Sequence, residues 1–174
     1  MSASAFRERL AWNAAAGEIL DQTRRYMLIR PDALMGIFRR LPGPALDEAL
    51  AALEASIFEQ GSDSARAYRA MGGEGATLAR VVAETAPQLG WGIWRFDVAP
   101  DLIRLEVKNS PFASGFGPSD RPVCHAIAGM VRAVASLVFE RPASAREIAC
   151  AAMGEPWCRF EARPSEPSSG GKSA

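Results

Sequence analysis

Apolar positions along the chain change their spacing near Gly90. Before it they recur every three or four residues, as in Leu46, Leu50, Leu53 and Ile57 after Pro44, and in Leu78, Val81 and Val82 within residues 74–87. That is the period of a helix with one buried stripe. Pro31 and Asp32 open another helix over residues 33–41, because a proline in the first turn brings a helical φ and gives up only an N–H that has no partner there. Leu89 followed by Gly90 is a stop signal. The N-terminal part, about residues 1–88, is expected to be helical.

After Gly90 the period becomes two. Trp94, Phe96 and Val98 alternate with Arg95 and Asp97. Past a turn at residues 99–101, Ile103, Leu105 and Val107 alternate with Arg104, Glu106 and Lys108, which predicts an antiparallel hairpin with one wet face. Helical spacing returns over residues 122–140, where Cys124, Ile127, Val131, Val134 and Val138 share a stripe and Ala126, Gly129 and Ala133 permit close packing. The first turn of that helix aims Cys124 inward. Two strands, over 144–149 and 157–162, close the pattern, with Cys158 and Phe160 on one face and Arg159 and Glu161 on the other. The fold class expected is α/β in its α+β form, an antiparallel sheet packed by helices, as one domain over residues 1–163. Residues 164–174 are polar and rich in Gly and Ser, so a disordered tail is expected there.

Composition narrows the function classes. With 174 residues, 48% of them hydrophobic, the chain can bury a sizeable core. Its 20 basic and 20 acidic residues are interspersed, which argues against electrostatic binding of nucleic acid. No window approaches the ~18–20 apolar residues of a membrane span. The N-terminal residues hold no apolar run of signal-peptide length, and three cysteines fit a reducing compartment better than a disulfide framework. A soluble, cytoplasmic protein is expected.

The candidate chemistry lies near the C-terminal end. Cys124, Cys150 and Cys158 are the only cysteines; Glu147 lies three residues before Cys150, and a Gly154-Glu155-Pro156 turn separates Cys150 from Cys158. Three thiolates and a carboxylate make a tetrahedral set suited to Zn²⁺. Four protein ligands leave no position for water, so such a zinc would be structural. The ligand charges sum to about −2 around the dication, so cationic or N–H partners are needed, with Arg121, Arg146 and Arg159 nearest in sequence. Buried free thiols, or a disulfide between Cys150 and Cys158, are the alternatives. In a regular strand Glu147 and Cys150 point to opposite faces, so a shared ion requires a bend or bulge between them.

The order of short motifs resembles a known family. Gly90 to Phe96, then Val107 to Phe112, Pro122-Val123-Cys124, Ala128-Gly129, Glu147 with Cys150, Ala152 and Gly154, and Cys158 with Phe160 are together similar to the vinyl-4-reductase domain. The resemblance covers about residues 88–162. That domain is also the ligand-sensing part of phenol-responsive bacterial activators, and the resemblance implies a zinc on Cys124, Glu147, Cys150 and Cys158. Residues 25–36 and 117–124 are most similar to the bacteriochlorophyll 4-vinyl reductase branch. The resemblance implies a fold akin to haem nitric-oxide sensors and trafficking subunits, a homodimer, and an apolar ligand inside. It further implies a role in bacteriochlorophyll biosynthesis and photosynthesis, around the 8-vinyl group of a tetrapyrrole intermediate, with a bound Mg-tetrapyrrole and pigment-synthesis enzymes as partners.

Reduction of a vinyl group needs an electron source, and none is legible. There is no Gly-x-Gly-x-x-Gly turn between strand and helix; Gly115-Phe116-Gly117 is followed by Pro118. Three cysteines cannot supply the Cys₄ set of an iron–sulfur cluster. The residues therefore favour a tetrapyrrole-binding carrier or assistant over a self-sufficient enzyme. The alternative is a zinc-stapled sensor or carrier of a small aromatic. Trp91, Trp94, Phe96, Phe112 and Phe116 are the candidate ligand wall, with residues 109–120 as a movable cover. His125 is a candidate axial ligand of a pigment magnesium or a donor behind the zinc, or else a surface or capping residue. Arg24, Arg25 and Arg30 are candidate partners of porphyrin propionates.

Overall fold

The computed structural model describes residues 4–70 and 75–166. Its main sheet is antiparallel, with strands in the order β4 (Ile93–Val98), β5 (Ile103–Lys108), β7 (Cys158–Pro164) and β6 (Ala143–Ala149). The hairpin registers as its alternation predicts, with Trp94 opposite Val107 and Phe96 opposite Leu105. Across the next pair, Val107 faces Cys158 and Leu105 faces Phe160. Because side chains alternate, one face of the sheet carries the row Trp94, Val107, Cys158 and beside it Phe96, Leu105, Phe160, Glu147.

Helix α6 (His125–Val138) covers that face with buried Ile127, Val131 and Val134. Helix α3 (Gly43–Ala70) lies on α6, and Gly129 is where they come closest: a Cβ there would sit 2.4 Å from the Glu54 carbonyl oxygen. Met35 of α2 (Pro31–Phe38) and Leu50 of α3 belong to the same buried cluster as Ile103 and Phe160 of the sheet. Helix α4 (Ala76–Thr85) runs into a 3₁₀ turn over Ala86–Leu89, and Gly90, at φ 75°, ends it as its left-handed cap. Glu74, the expected first residue of this helix, lies outside the described residues.

Two expectations change. The N-terminal part is not all helix: after α1 (Ser4–Arg9), a small antiparallel sheet is formed by β1 (Ala11–Asn13), β2 (Glu18–Asp21) and β3 (Arg24–Tyr26). These strands are too short to show an alternation. The β2–β3 turn uses Gln22 at φ 56° where Gly or Asn would have announced it. Arg9 anchors the sheet through buried Asp21, at 3.0 Å.

The expected loop cover over residues 109–120 instead contains a helix, α5 (Pro111–Phe116), with Phe112 and Phe116 buried. Ser110 caps it and Pro111 starts it, while Gly115 admits the Pro31 backbone, whose carbonyl oxygen would be 2.5 Å from a Cβ. Of the expected tail, Pro164 ends β7 and the Ser165 N–H donates to the Pro142 carbonyl at 2.8 Å; residues 167–174 lie outside the described residues.

Candidate metal and ligand site

The four predicted donors converge. Cys124 is the residue before α6, Glu147 lies in β6, Cys150 follows β6 and Cys158 begins β7. The bulge that their shared site demands is present: Glu147 pairs with Phe160 and Ala149 with Arg159, which leaves Ile148 as the extra residue, turned to solvent. Sulfur separations are 3.5 Å for Cys124 to Cys158 and 4.0 Å for Cys124 to Cys150, and all four donor atoms lie within 4.8 Å of one another. A tetrahedron with Zn–S bonds of ~2.3 Å has an edge of about 3.8 Å, so these separations suit an ion at the centre. They are far beyond the ~2.05 Å of a disulfide, and all three thiols are free and buried.

Glu147 gives a further sign of fit. Its Oε2 accepts the Cys124 N–H at 2.9 Å, whereas its Oε1 is buried with no hydrogen-bond partner. A carboxylate oxygen in that condition is costly unless a cation or proton meets it. Burial, and then the Cys150 charge, push the Glu147 carboxyl up to about 8. Hydrogen bonds from Cys124 and then Cys158 bring the Cys150 thiol down to about 2. Hydrogen bonding to Cys150 and Cys158, together with burial, drives Cys124 up. For Cys158 the bond with Cys124 pulls down, but the bond with Cys150, burial and the Glu147 charge prevail and raise it to about 12. Without a cation, then, the cluster holds one thiolate among protonated partners. The four residues fit a metal ion, which would supply a cross-link between α6, β6 and β7.

The predicted arginine partners are not at the cluster. Arg121 pairs with Asp47 and Asp120, Arg146 with Glu161, and Arg159 with Glu155. Strand alternation explains two of these, since Arg146 and Arg159 sit on the wet face. The groups that do face the sulfurs are neutral donors: the Ala151 N–H at 3.3 Å from Cys158 Sγ, and the Ser110 hydroxyl at 3.2 Å from Cys124 Sγ. Sequence reasoning missed Ser110; a Ser-Pro pair at a helix start was the available signal.

His125 faces away from the cluster. Its Nδ1 meets Glu54 Oε2 of α3 at 3.1 Å, so it ties two helices together and serves neither as a donor behind the cysteines nor as a ligand to a bound pigment. The rotation of about 100° per helical residue separates it from Cys124. Arg25 pairs with Glu18 and Arg30 with Asp32, both at the surface.

The structure brings four of the five aromatics together. Trp91 meets Phe112 edge-on at 5.1 Å and Trp94 at 6.3 Å, and Trp94 meets Phe96 at 5.9 Å. The Trp94 indole N–H donates to the Trp91 carbonyl at 2.8 Å. Phe116 is buried at the other end of α5, where Arg39 donates to its carbonyl oxygen at 3.0 Å.

Residues 103–164, from β5 through β7, match the vinyl-4-reductase domain, and all four cluster residues fall within that stretch. No curated protein matches the chain. Among solved structures, the chain is similar to the phenol-responsive sensory domain of the transcription activator PoxR with phenol, at 19% identity and a TM-score of 0.78 over 93% of this chain and 88% of that one. It is also similar to trafficking protein particle complex subunit 3 from Naegleria fowleri, covalently bound to palmitic acid, at 12% identity and a TM-score of 0.50 over 78% and 95%. A vinyl-4-reductase family protein from Methanocaldococcus jannaschii aligns at 16% identity and a TM-score of 0.47 over 81% and 98%. The first two likenesses are of fold, and they place the chain in the α+β class of helices packed on an antiparallel sheet. No helix among the described residues is long and apolar enough to cross a membrane.

Proposed function

We propose that this chain is a small-molecule-binding module in which a zinc ion on Cys124, Glu147, Cys150 and Cys158 staples α6 to the β6–β7 hairpin. Its aromatic group receives a small, flat apolar molecule. One observation carries the reading: Trp94, of the aromatic group, and Cys158, of the cluster, lie in one row across the sheet with Val107 between them. Four protein donors leave the ion no open position, so it supplies folding energy and rigidity, not hydrolysis. The same fold holds phenol in PoxR and palmitate in the trafficking subunit, which supports an apolar guest.

The size of the guest follows from the packing. Trp91, Trp94, Phe96 and Phe112 touch ring to ring at 5.1 to 6.3 Å, within the usual range of aromatic pairs. A single ring can replace one such contact when a side chain turns. A tetrapyrrole would have to displace several. The tetrapyrrole reading rests on the resemblance of residues 25–36 and 117–124 to the bacteriochlorophyll branch. In it the chain would carry a Mg-tetrapyrrole to pigment-synthesis enzymes, or assist reduction of its 8-vinyl group.

The test is a titration of the zinc-loaded protein with phenol and, separately, with magnesium protoporphyrin, followed by tryptophan fluorescence and thermal unfolding. Saturable binding and stabilisation by phenol alone is the expected result. Saturable binding of the porphyrin alone overturns the small-guest reading in favour of the tetrapyrrole. Conversion of a bound vinyl pigment on adding NADPH overturns the binding-module reading.

A further inference from the structure

We infer that Ser110 is the positioning residue that makes the aromatic site depend on the metal site. The inference rests on the reading just given, with the cluster as a zinc centre and Trp91, Trp94 and Phe112 as ligand wall. Ser110 is 4% exposed and stands between the two. Its Oγ lies 3.2 Å from Cys124 Sγ and accepts the Ala113 N–H at 3.4 Å, which caps α5. Phe112, beside Ala113 in α5, places its ring against Trp91. One hydroxyl thus lies between a metal-binding sulfur and the backbone that carries part of the aromatic wall.

A hydroxyl has one hydrogen and two lone pairs. A sulfur that ligates a cation carries no proton, so the hydrogen in this contact then belongs to Ser110 and points at the sulfur. Bonds to charged acceptors are stronger than neutral ones. With its hydrogen held there, the lone pairs of Oγ are directed toward the Ala113 N–H and the cap is fixed. In the metal-free cluster the contact is between two neutral groups, one of them a weak S–H donor, and Ser110 is free to turn.

The far end of α5 does not share this dependence. There the Arg39 guanidinium holds the Phe116 carbonyl, and Gly115 lies against the Pro31 backbone. The adjustable end of the helix is therefore the one at Ser110, which also carries Phe112. A separate backbone contact, the Ser119 N–H to the Ala152 carbonyl at 2.8 Å, joins the segment after α5 to the turn after Cys150 and leaves the cap untouched.

The test compares the full chain with Ser110→Ala and Ser110→Thr, each zinc-loaded and chelated. Three quantities are read: zinc per chain, hydrogen exchange at the Ala113 amide, and phenol affinity. In the parent chain, zinc is expected to slow Ala113 exchange and tighten phenol by about tenfold, the size of one charge-assisted hydrogen bond. Ser110→Ala should still take up one zinc, yet lose both responses, and Ser110→Thr should restore them. A Ser110→Ala chain whose Ala113 exchange still responds to zinc overturns the inference and moves the coupling to the Ser119–Ala152 contact. If the parent takes up no zinc, the metal reading fails and the inference falls with it. If zinc binds and phenol does not, the guest reading fails while Ala113 exchange still decides the role of Ser110.

Discussion

The carboxylate of Glu147 on β6 accepts the backbone N–H of Cys124 at the head of α6, while its second oxygen is buried among three sulfurs with no hydrogen-bond partner. The two oxygens thus have separate duties. One joins helix to sheet whether or not an ion is present, and the other is available to a cation.

Substitution separates the duties. Glu147→Gln keeps an acceptor for the Cys124 N–H but offers a neutral amide to the ion. The metal-free variant should unfold within about 1 kcal/mol of the metal-free parent, because a neutral side chain resembles the protonated carboxyl that burial favours. Zinc affinity should fall steeply. Cys150→Ala should also release the ion, and should melt lower than the zinc-loaded parent. Metal content by mass spectrometry and chemical denaturation with and without chelator check all three.

Ion binding should release protons in a number set by pH. At pH 7 the metal-free cluster holds protons on Cys124, which is driven up, on Cys158, raised to about 12, and on Glu147, raised to about 8, while Cys150, lowered to about 2, holds none. Ligands must be deprotonated to bind, so three protons should leave at pH 7 and two above pH 8. Calorimetry in buffers of different ionisation enthalpy counts them. Affinity should rise with pH, by roughly a thousandfold per unit below pH 8.

Stability of the chelated protein follows from the same shifts. The raised Glu147 contributes stability that is complete below its ordinary value of 4.5 and is lost as pH rises through about 8. The depressed Cys150 contributes in the opposite sense, gaining as pH rises from about 2 toward its ordinary 9.0. Between about pH 5 and 7.5 the two offset each other, so the melting temperature of chelated protein should change little while that of zinc-loaded protein climbs.

Gly129→Ala tests the helical layer. The added methyl would meet the Glu54 carbonyl oxygen at 2.4 Å, so α3 must move away from α6 and strain the Glu54–His125 contact. A loss of about 1–3 kcal/mol or more is expected by urea denaturation, with zinc stoichiometry unchanged because the cluster lies on the other side of α6.

Much of this arrangement could be read from residue order. The hairpin showed itself because one face is wet and the other buried, which forces an alternation of period two. The metal cluster was legible through rarity of its donors, and the bulge at Ile148 through geometry alone, since Glu147 and Cys150 otherwise diverge. What escaped depended on partners distant in sequence. Arg146 and Arg159 looked like counter-charges to the cluster until the pleat turned them to solvent. His125 adjoins Cys124 in the chain, but its partner is Glu54, 71 positions away. The β1–β3 sheet is built from strands of three and four residues, too short for any period, and α5 was hidden by the Gly, Pro and Ser that cap it and let it pack.

The close fit of α3 under α6 also bears on how the chain is made. Helix α3 leaves the ribosome long before α6, and α6 in turn before β7, so the apolar stripe of α3 has no cover during much of synthesis. The central strand β5 likewise waits for β7. Because Cys158 is the last of the cluster residues to emerge, the ion can close its cage only when nearly the whole chain is out. Metal capture is therefore a late event, one that seals a nascent chain instead of seeding it.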